Sequence, residues 1–243
     1  MGADGDQLIL LAKEALGYDA FENTRRARAT RLIAEGYGRN GDLKKQEKWY
    51  LKALELSQAS PKLDPLLLVK VGEFYERQAI PSETINKQRK ALQSAARYYK
   101  LLIENYPSFV NGQYLYSNNA ADLGDNQLAL THSNLASELL REYEDNQQHY
   151  GKYFPCCGAM DYHQIYVQES SCFALVGNVS GCIDSIKAAL RYQDEDVEYV
   201  NYLLADALLC QRDFTESELK KQVSINLVEC PHFLIHSYEG TGW

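Results

Sequence analysis

Several features that would assign a chain to a chemical class are missing from this sequence. No apolar run approaches the ~18 residues that a membrane helix needs, and the most apolar early stretch, Leu8 to Ala12, follows Asp4 and Asp6 rather than basic residues. It is too short and wrongly flanked for a secretory leader. Asp6 stands where a myristoylation signal wants Ser or Thr, so a cytoplasmic setting and no membrane partner are expected. Proline is scarce, at six residues among 243, and period-two β-branched alternation is almost absent, which argues against a sheet protein. Glycine-rich phosphate loops are lacking, and no cofactor is expected. Cysteine is absent from the first 155 residues, and none of the six (Cys156, Cys157, Cys172, Cys182, Cys210, Cys230) forms a CxxC pair. Such usage reads as buried thiols rather than a disulfide framework.

Positive charge is also in deficit. A net charge of −8 opposes a general nucleic-acid binder, which needs clustered Lys and Arg. The deficit is uneven: nine basic residues lie between Arg25 and Lys52 against Glu35, Asp42 and Glu47, whereas Asp194, Glu195, Asp196 and Glu198 crowd one later run. This polarity would steer an acidic partner toward the basic stretch, although solvated helix faces would carry the same residues.

What is present is helical periodicity. Apolar residues recur at spacings of three and four: Leu32, Ile33 and Tyr37, then Trp49, Tyr50, Ala53 and Leu54, with Gly41-Asp42 as a break between them. Further helices are predicted over Leu66 to Gln78, Ser82 to Tyr106, Gln113 to Leu123, Asn126 to Tyr143, Asp161 to Val176, Cys182 to Tyr192, Val197 to Gln211 and Phe214 to Val228. With Gln7 to Leu16 that makes about eleven. A link from Gly151 to Gly158 interrupts the pattern, so a single domain over 1–243 is expected, with an internal break at 150–160.

The block from Arg31 to Ser57 resembles a tetratricopeptide repeat (TPR): Ile33, Ala34 and Tyr37 fill the large, small and aromatic slots of a first helix, and Trp49, Tyr50, Ala53 and Leu54 form the stripe of a second. A small residue lets two helices approach closely while larger neighbours fill the groove. Looser copies use Val71, Gly72 and Tyr75 with Tyr98, Tyr99 and Pro107; Tyr116, Ser117, Gly124-Asp125, Ala129 and Ala136; and Leu204, Ala205, Leu208, Asp213, Phe214 and Ser217. An insertion around Ile80 to Gln88 separates the halves of the second copy. A unit around Gly177-Asn178, Ala189 and Leu190 places Glu169 in a slot that should be apolar, as though the register were off by one. Most of the eighteen tyrosines read as core residues with the hydroxyl at an edge.

The resemblance implies an all-α, TPR-like α-solenoid, a right-handed superhelix of antiparallel helix pairs. It also implies a non-catalytic scaffold binding a protein or peptide in the concave groove lined by the first helices. The implied groove positions are Arg28, Arg31, Glu35 and Arg39; Glu73, Glu76 and Arg77; Asn111, Tyr114, Asn118 and Asp122; and Tyr202 and Asp206. Arg28, Arg31 and Arg39 would favour an acidic segment, and charge reversal at Arg31 and Arg39 should weaken binding without altering unfolding. The family's carboxylate-gripping pattern is not met, because Glu35 stands where its asparagine should be and Leu115 where a basic residue should be.

Two other readings remain open. One is a regulator gated by a small ligand or peptide. The other is a thiol- or metal-dependent protein centred on the cysteine-rich half. Cys230, His232 and His236, with Cys156, Cys157 and His163, lack zinc spacing. Cys157, His163 and Asp161 offer a nucleophile, a base and an orienting group without an oxyanion element. No metal site and no catalytic residue is therefore expected.

Overall fold

The computed structural model describes residues 4–18, 22–59, 63–81, 84–145, 162–192 and 197–210. Among them it contains ten α-helices: α1 (Gly5–Leu16), α2 (Asn23–Arg39), α3 (Leu43–Ser57), α4 (Pro65–Ala79), α5 (Ile85–Asn105), α6 (Val110–Asp122), α7 (Asn126–Asp145), α8 (Tyr162–Leu175), α9 (Val179–Ala189) and α10 (Val197–Cys210). No strand occurs among the described residues, and the expected helix from Phe214 to Val228 lies outside them. So does the stretch 150–160, where the sequence suggests a break. Backbone contacts divide the chain into two compact units, Met1–Leu123 and Gly124–Trp243.

One local device recurs at the turns. Gly41, Gly124 and Gly177 adopt φ of 75°, 81° and 76°, the left-handed conformation that a Cβ disfavours. A Cβ at any of the three would meet nothing within 4 Å, so backbone conformation rather than space requires the glycine. The next residue then caps the following helix. Asp42 Oδ1 accepts from Lys45 N at 3.0 Å, Asp125 Oδ1 from Leu128 N at 3.1 Å and Asn178 Oδ1 from Gly181 N at 3.0 Å. Each cap satisfies an otherwise orphaned donor and stabilises its helix by about 1 kcal/mol.

In the first unit, α1 lies on α2 through a core of Ile9, Ala12 and Ile33. A second cluster joins Ala34 of α2, Tyr50 and Ala53 of α3, and Leu67, Val71 and Phe74 of α4. A third, of Leu68, Val69 and Leu102, is closed by Tyr106, Phe109 and Leu115. Helices α4 and α5 approach closely at Gly72, where a Cβ would fall 2.2 Å from the ring of Tyr99. Tyr99 has no solvent exposure, so its ring cannot swing aside.

The insertion read around Ile80 to Gln88 ends in the first turn of a helix. Thr84 caps α5, accepting from Lys87 N, and α5 runs from Ile85 for 21 residues. The helix expected from Ser82 to Tyr106 thus spans Ile85 to Asn105. Likewise α9 begins at Val179, three residues ahead of the expected Cys182, because Asn178 caps it. Tyr50 and Tyr99 are 1% and 0% exposed; their hydroxyls are interior, not at an edge.

The second unit is organised around an acid. Glu169 of α8, only 7% exposed, accepts from the Ser137 hydroxyl of α7 and from that of Ser185 on α9 at 2.8 Å. The register that placed a carboxylate in an apolar slot was correct; two hydroxyl donors supply what an apolar neighbour could not. Ala129, Ala136, Leu140, Ile165, Ile183, Ile186, Leu204 and Ala205 are buried in this unit. So are Cys172 and Cys182, while Cys210 is exposed.

Gly72→Ala should therefore destabilise the protein by about 1–3 kcal/mol, the range for overpacking a tight interior. Urea unfolding monitored by circular dichroism measures it; an unchanged midpoint would mean that α4 and α5 separate freely.

Candidate protein-binding face

Helices α2, α4 and α6 are the first members of three successive pairs or half-pairs in the first unit, and their polar residues meet there. Arg31 and Glu35, one turn apart on α2, form an ion pair in which the two side chains keep 11% and 22% exposure. Arg28 lies at 3.5 Å from Asp64, whose Oδ1 also accepts from Leu66 N at the start of α4. On α4, Lys70 Nζ donates to Glu73 Oε2 at 2.8 Å, and Arg77 Nε donates to the Glu73 carbonyl at 3.3 Å. The Tyr50 hydroxyl is raised above its ordinary pKa chiefly by burial, and it also feels the charges of Glu35, Arg77 and Arg31.

Between α4 and α6 the link is a hydrogen-bonded carboxylate. Glu76 accepts from the Tyr99 hydroxyl at 2.9 Å and from Asn119 Nδ2 at 3.3 Å; the same amide nitrogen reaches the Leu92 carbonyl at 3.2 Å. Both neighbours of that nitrogen are acceptors, which fixes the orientation of the amide. Burial pushes the Glu76 carboxyl above its ordinary pKa, opposed by these hydrogen bonds and assisted by the charges of Asp122 and Glu73. Partial desolvation raises Asp122 too. Burial and the neighbouring carboxylate push the Tyr99 hydroxyl upward, so it keeps its proton and donates it in a hydrogen bond that favours the charged form of Glu76.

The remaining expected positions fall as follows. Arg39 is exposed at the end of α2, Asn111, Tyr114 and Asn118 are half-buried along α6, and Asp122 is exposed at its end. Tyr202 is half-buried and Asp206 exposed on α10, in the second unit. The structure thus joins the α4 and α6 positions through Tyr99, expected as a packing residue, and through Asn119, which the sequence did not single out. Asn119 is fully buried; on a polar first helix, an amide beside Asn118 carries no periodic signal that would separate it from its exposed neighbours. Of the residues considered for metal or nucleophilic chemistry, Cys156, Cys157, Asp161, Cys230, His232 and His236 lie outside the described residues, and His163 is buried on α8. No described helix is long and apolar enough to cross a membrane.

Paired helices joined by Gly-Asx turns, with polar first helices side by side, define a helical-repeat protein of the TPR-like fold. No protein-family model and no curated protein sequence matches the chain. Among solved structures it is similar to BtubC (BKLC) from P. vanneervenii, with a TM-score of 0.64 at 15% identity over 98% of this chain and 91% of that one. It is similar also to MamA, with a TM-score of 0.60 at 13% identity over 83% and 90%. A third is the putative kinesin light chain of Podosopora anserina with nearly identical TPR-like repeats, with a TM-score of 0.58 at 13% identity over 86% and 97%. At these identities the likeness is one of fold.

The raised Glu76 carboxyl has a measurable consequence. The folded chain keeps this proton to higher pH than the unfolded chain does. Stability from this group is therefore full below the ordinary carboxylate range, falls as the pH rises through the raised value, and is level above it. Denaturant unfolding of the native protein and of Glu76→Gln across acid to neutral pH should give a difference curve sloping downward over that window. A flat difference would show that the carboxyl titrates as in solvent.

Proposed function

We propose that the chain is a non-catalytic scaffold that binds a protein or peptide segment on the first-helix face of α2, α4 and α6. The observation that carries this reading is the row of half-buried polar side chains along those helices, among which Arg31 Nε, a donor, and Asn118 Oδ1, an acceptor, have no hydrogen-bond partner among the described residues. Buried polar atoms are ordinarily paired, and a polypeptide backbone offers donors and acceptors together. Half-buried Tyr114 adds an aromatic surface of the kind that anchors interfaces. The TPR-like fold supports the reading, since it sets first helices beside one another.

The acidic segment expected from Arg28, Arg31 and Arg39 is not assigned to this face. Arg28 and Arg31 already face Asp64 and Glu35. Charge reversal at Arg31 is also no neutral surface change, because it sets two carboxylates a turn apart in a mostly buried site. Arg31→Glu should cost about 2 kcal/mol or more of stability, measured as a lowered urea midpoint. A midpoint equal to the native one would mean that the pair is solvated.

A display library of short random peptides, selected on the full chain, tests the binding reading. Selected peptides should lose roughly tenfold in affinity on Asn118→Ala/Asp122→Ala, the ordinary cost of truncating contact residues, with little change in unfolding. Peptides indifferent to that change, or no peptide recovered, would overturn it.

A further inference from the structure

We infer that the outer face of α3, built from Lys44, Lys45, Lys48 and Lys52 around Leu51, docks an acidic amphipathic helix of a partner protein. This surface is separate from the first-helix face and does not depend on it. The buried side of α3 is Gln46, Tyr50, Ala53 and Ser57. All four lysines, Leu51 and Glu55 are exposed on the opposite side, as a period of 3.6 requires. The basic excess of the early sequence thus divides in two. Arg28 and Arg31 of α2 are engaged by carboxylates, while of the four lysines gathered on one face of α3 Lys45 alone has a carboxylate partner among the described residues, Asp42.

Two of these ammonium groups are held in place. Lys45 Nζ stands 5.3 Å from the centre of the Tyr37 ring and also meets Asp42 at 2.7 Å. Lys52 Nζ stands 4.9 Å from the centre of the Trp49 ring. The two rings are stacked on each other, with centroids 6.5 Å apart and planes inclined at 20°. Both lysines lie within the distance at which a cation is attracted to an aromatic face. Such seating lowers the side-chain ordering that a partner must impose.

The chemistry of the face selects the occupant. Lys45, Lys48 and Lys52 recur at i, i+3 and i+7, a row about 10 Å long, and carboxylates at the same intervals on a second helix match it. Leu51, 46% exposed among the lysines, gives that helix an apolar contact, which a phosphate backbone would leave unused. Single-stranded nucleic acid binds by stacking bases on open rings, whereas Tyr37 and Trp49 are engaged by each other and by ammonium groups. An interfacial membrane helix needs its apolar side turned to lipid, and the apolar side of α3 is packed against α2 and α4.

The test uses the full chain and a fluorescently labelled synthetic helical peptide with Glu at i, i+3 and i+7 flanked by Leu. Its Gln-for-Glu counterpart, a single-stranded oligonucleotide and phosphatidylserine vesicles serve as rival probes. Anisotropy should show the acidic peptide binding most tightly and weakening as salt rises. Lys44→Glu/Lys48→Glu should weaken it by at least about tenfold, with circular dichroism and the thermal midpoint unchanged. Asn118→Ala/Asp122→Ala should leave it unaffected, so failure here and failure of the first-helix face are separable. The inference is overturned if the acidic peptide binds no better than its Gln counterpart, if the double lysine variant binds equally well, or if the oligonucleotide or the vesicles bind more tightly.

Discussion

Helix α4 can lie against α5 only because position 72 has no side chain, and much of the first unit follows from that contact. The absent Cβ admits the Tyr99 ring. The seated ring points its hydroxyl at Glu76, and Glu76 in turn holds Asn119 of α6. A steric permission in the backbone thus becomes a hydrogen-bonded arrangement on the candidate face within three side chains. Packing and recognition are not separate layers here, because the ring that fills the core also orients the carboxylate beside the proposed ligand.

The two units use the same solution with different donors. In the first, an acid of α4 is held by a tyrosine of α5 and an asparagine of α6. In the second, Glu169 of α8 is held by serines of α7 and α9. A buried carboxylate is costly unless donors surround it, and once surrounded it accepts only one arrangement of the three helices that supply them. Apolar stacking alone tolerates sliding between helices. A carboxylate with directional partners on both sides does not, and it adds register to the adhesion that leucines and alanines supply.

The helices were legible because Ala34, Ala53, Leu67, Val71 and Ala95 mark buried faces at the proper intervals, and because Gly41-Asp42, Gly124-Asp125 and Gly177-Asn178 announce turns through residues with few other uses. The candidate face was legible only as a set of positions. The Arg31–Glu35 pair was open to reading from its i,i+4 spacing on a helix, whereas nothing in the sequence says that Arg28 meets Asp64. Asn119, and the partners of Tyr99 and Glu169, were hidden for a related reason: a polar side chain satisfied inside a core has the same letter as one in water. The start of α5 was legible to within a few residues, expected near Ser82 and found at Ile85, although its first turns carry little amphipathic contrast.

That start has a structural meaning of its own. Residues 84–90 are all exposed, so α5 projects about a turn and a half beyond its packed portion, tied down by the Thr84 cap and its own backbone hydrogen bonds. The overhang acts as a slip joint. Residues could be gained or lost there without displacing Gly72 from Tyr99, which lets one helix pair differ in length from the others while every interlocking contact keeps its place. Irregular spacing between repeats is then compatible with a regular interior.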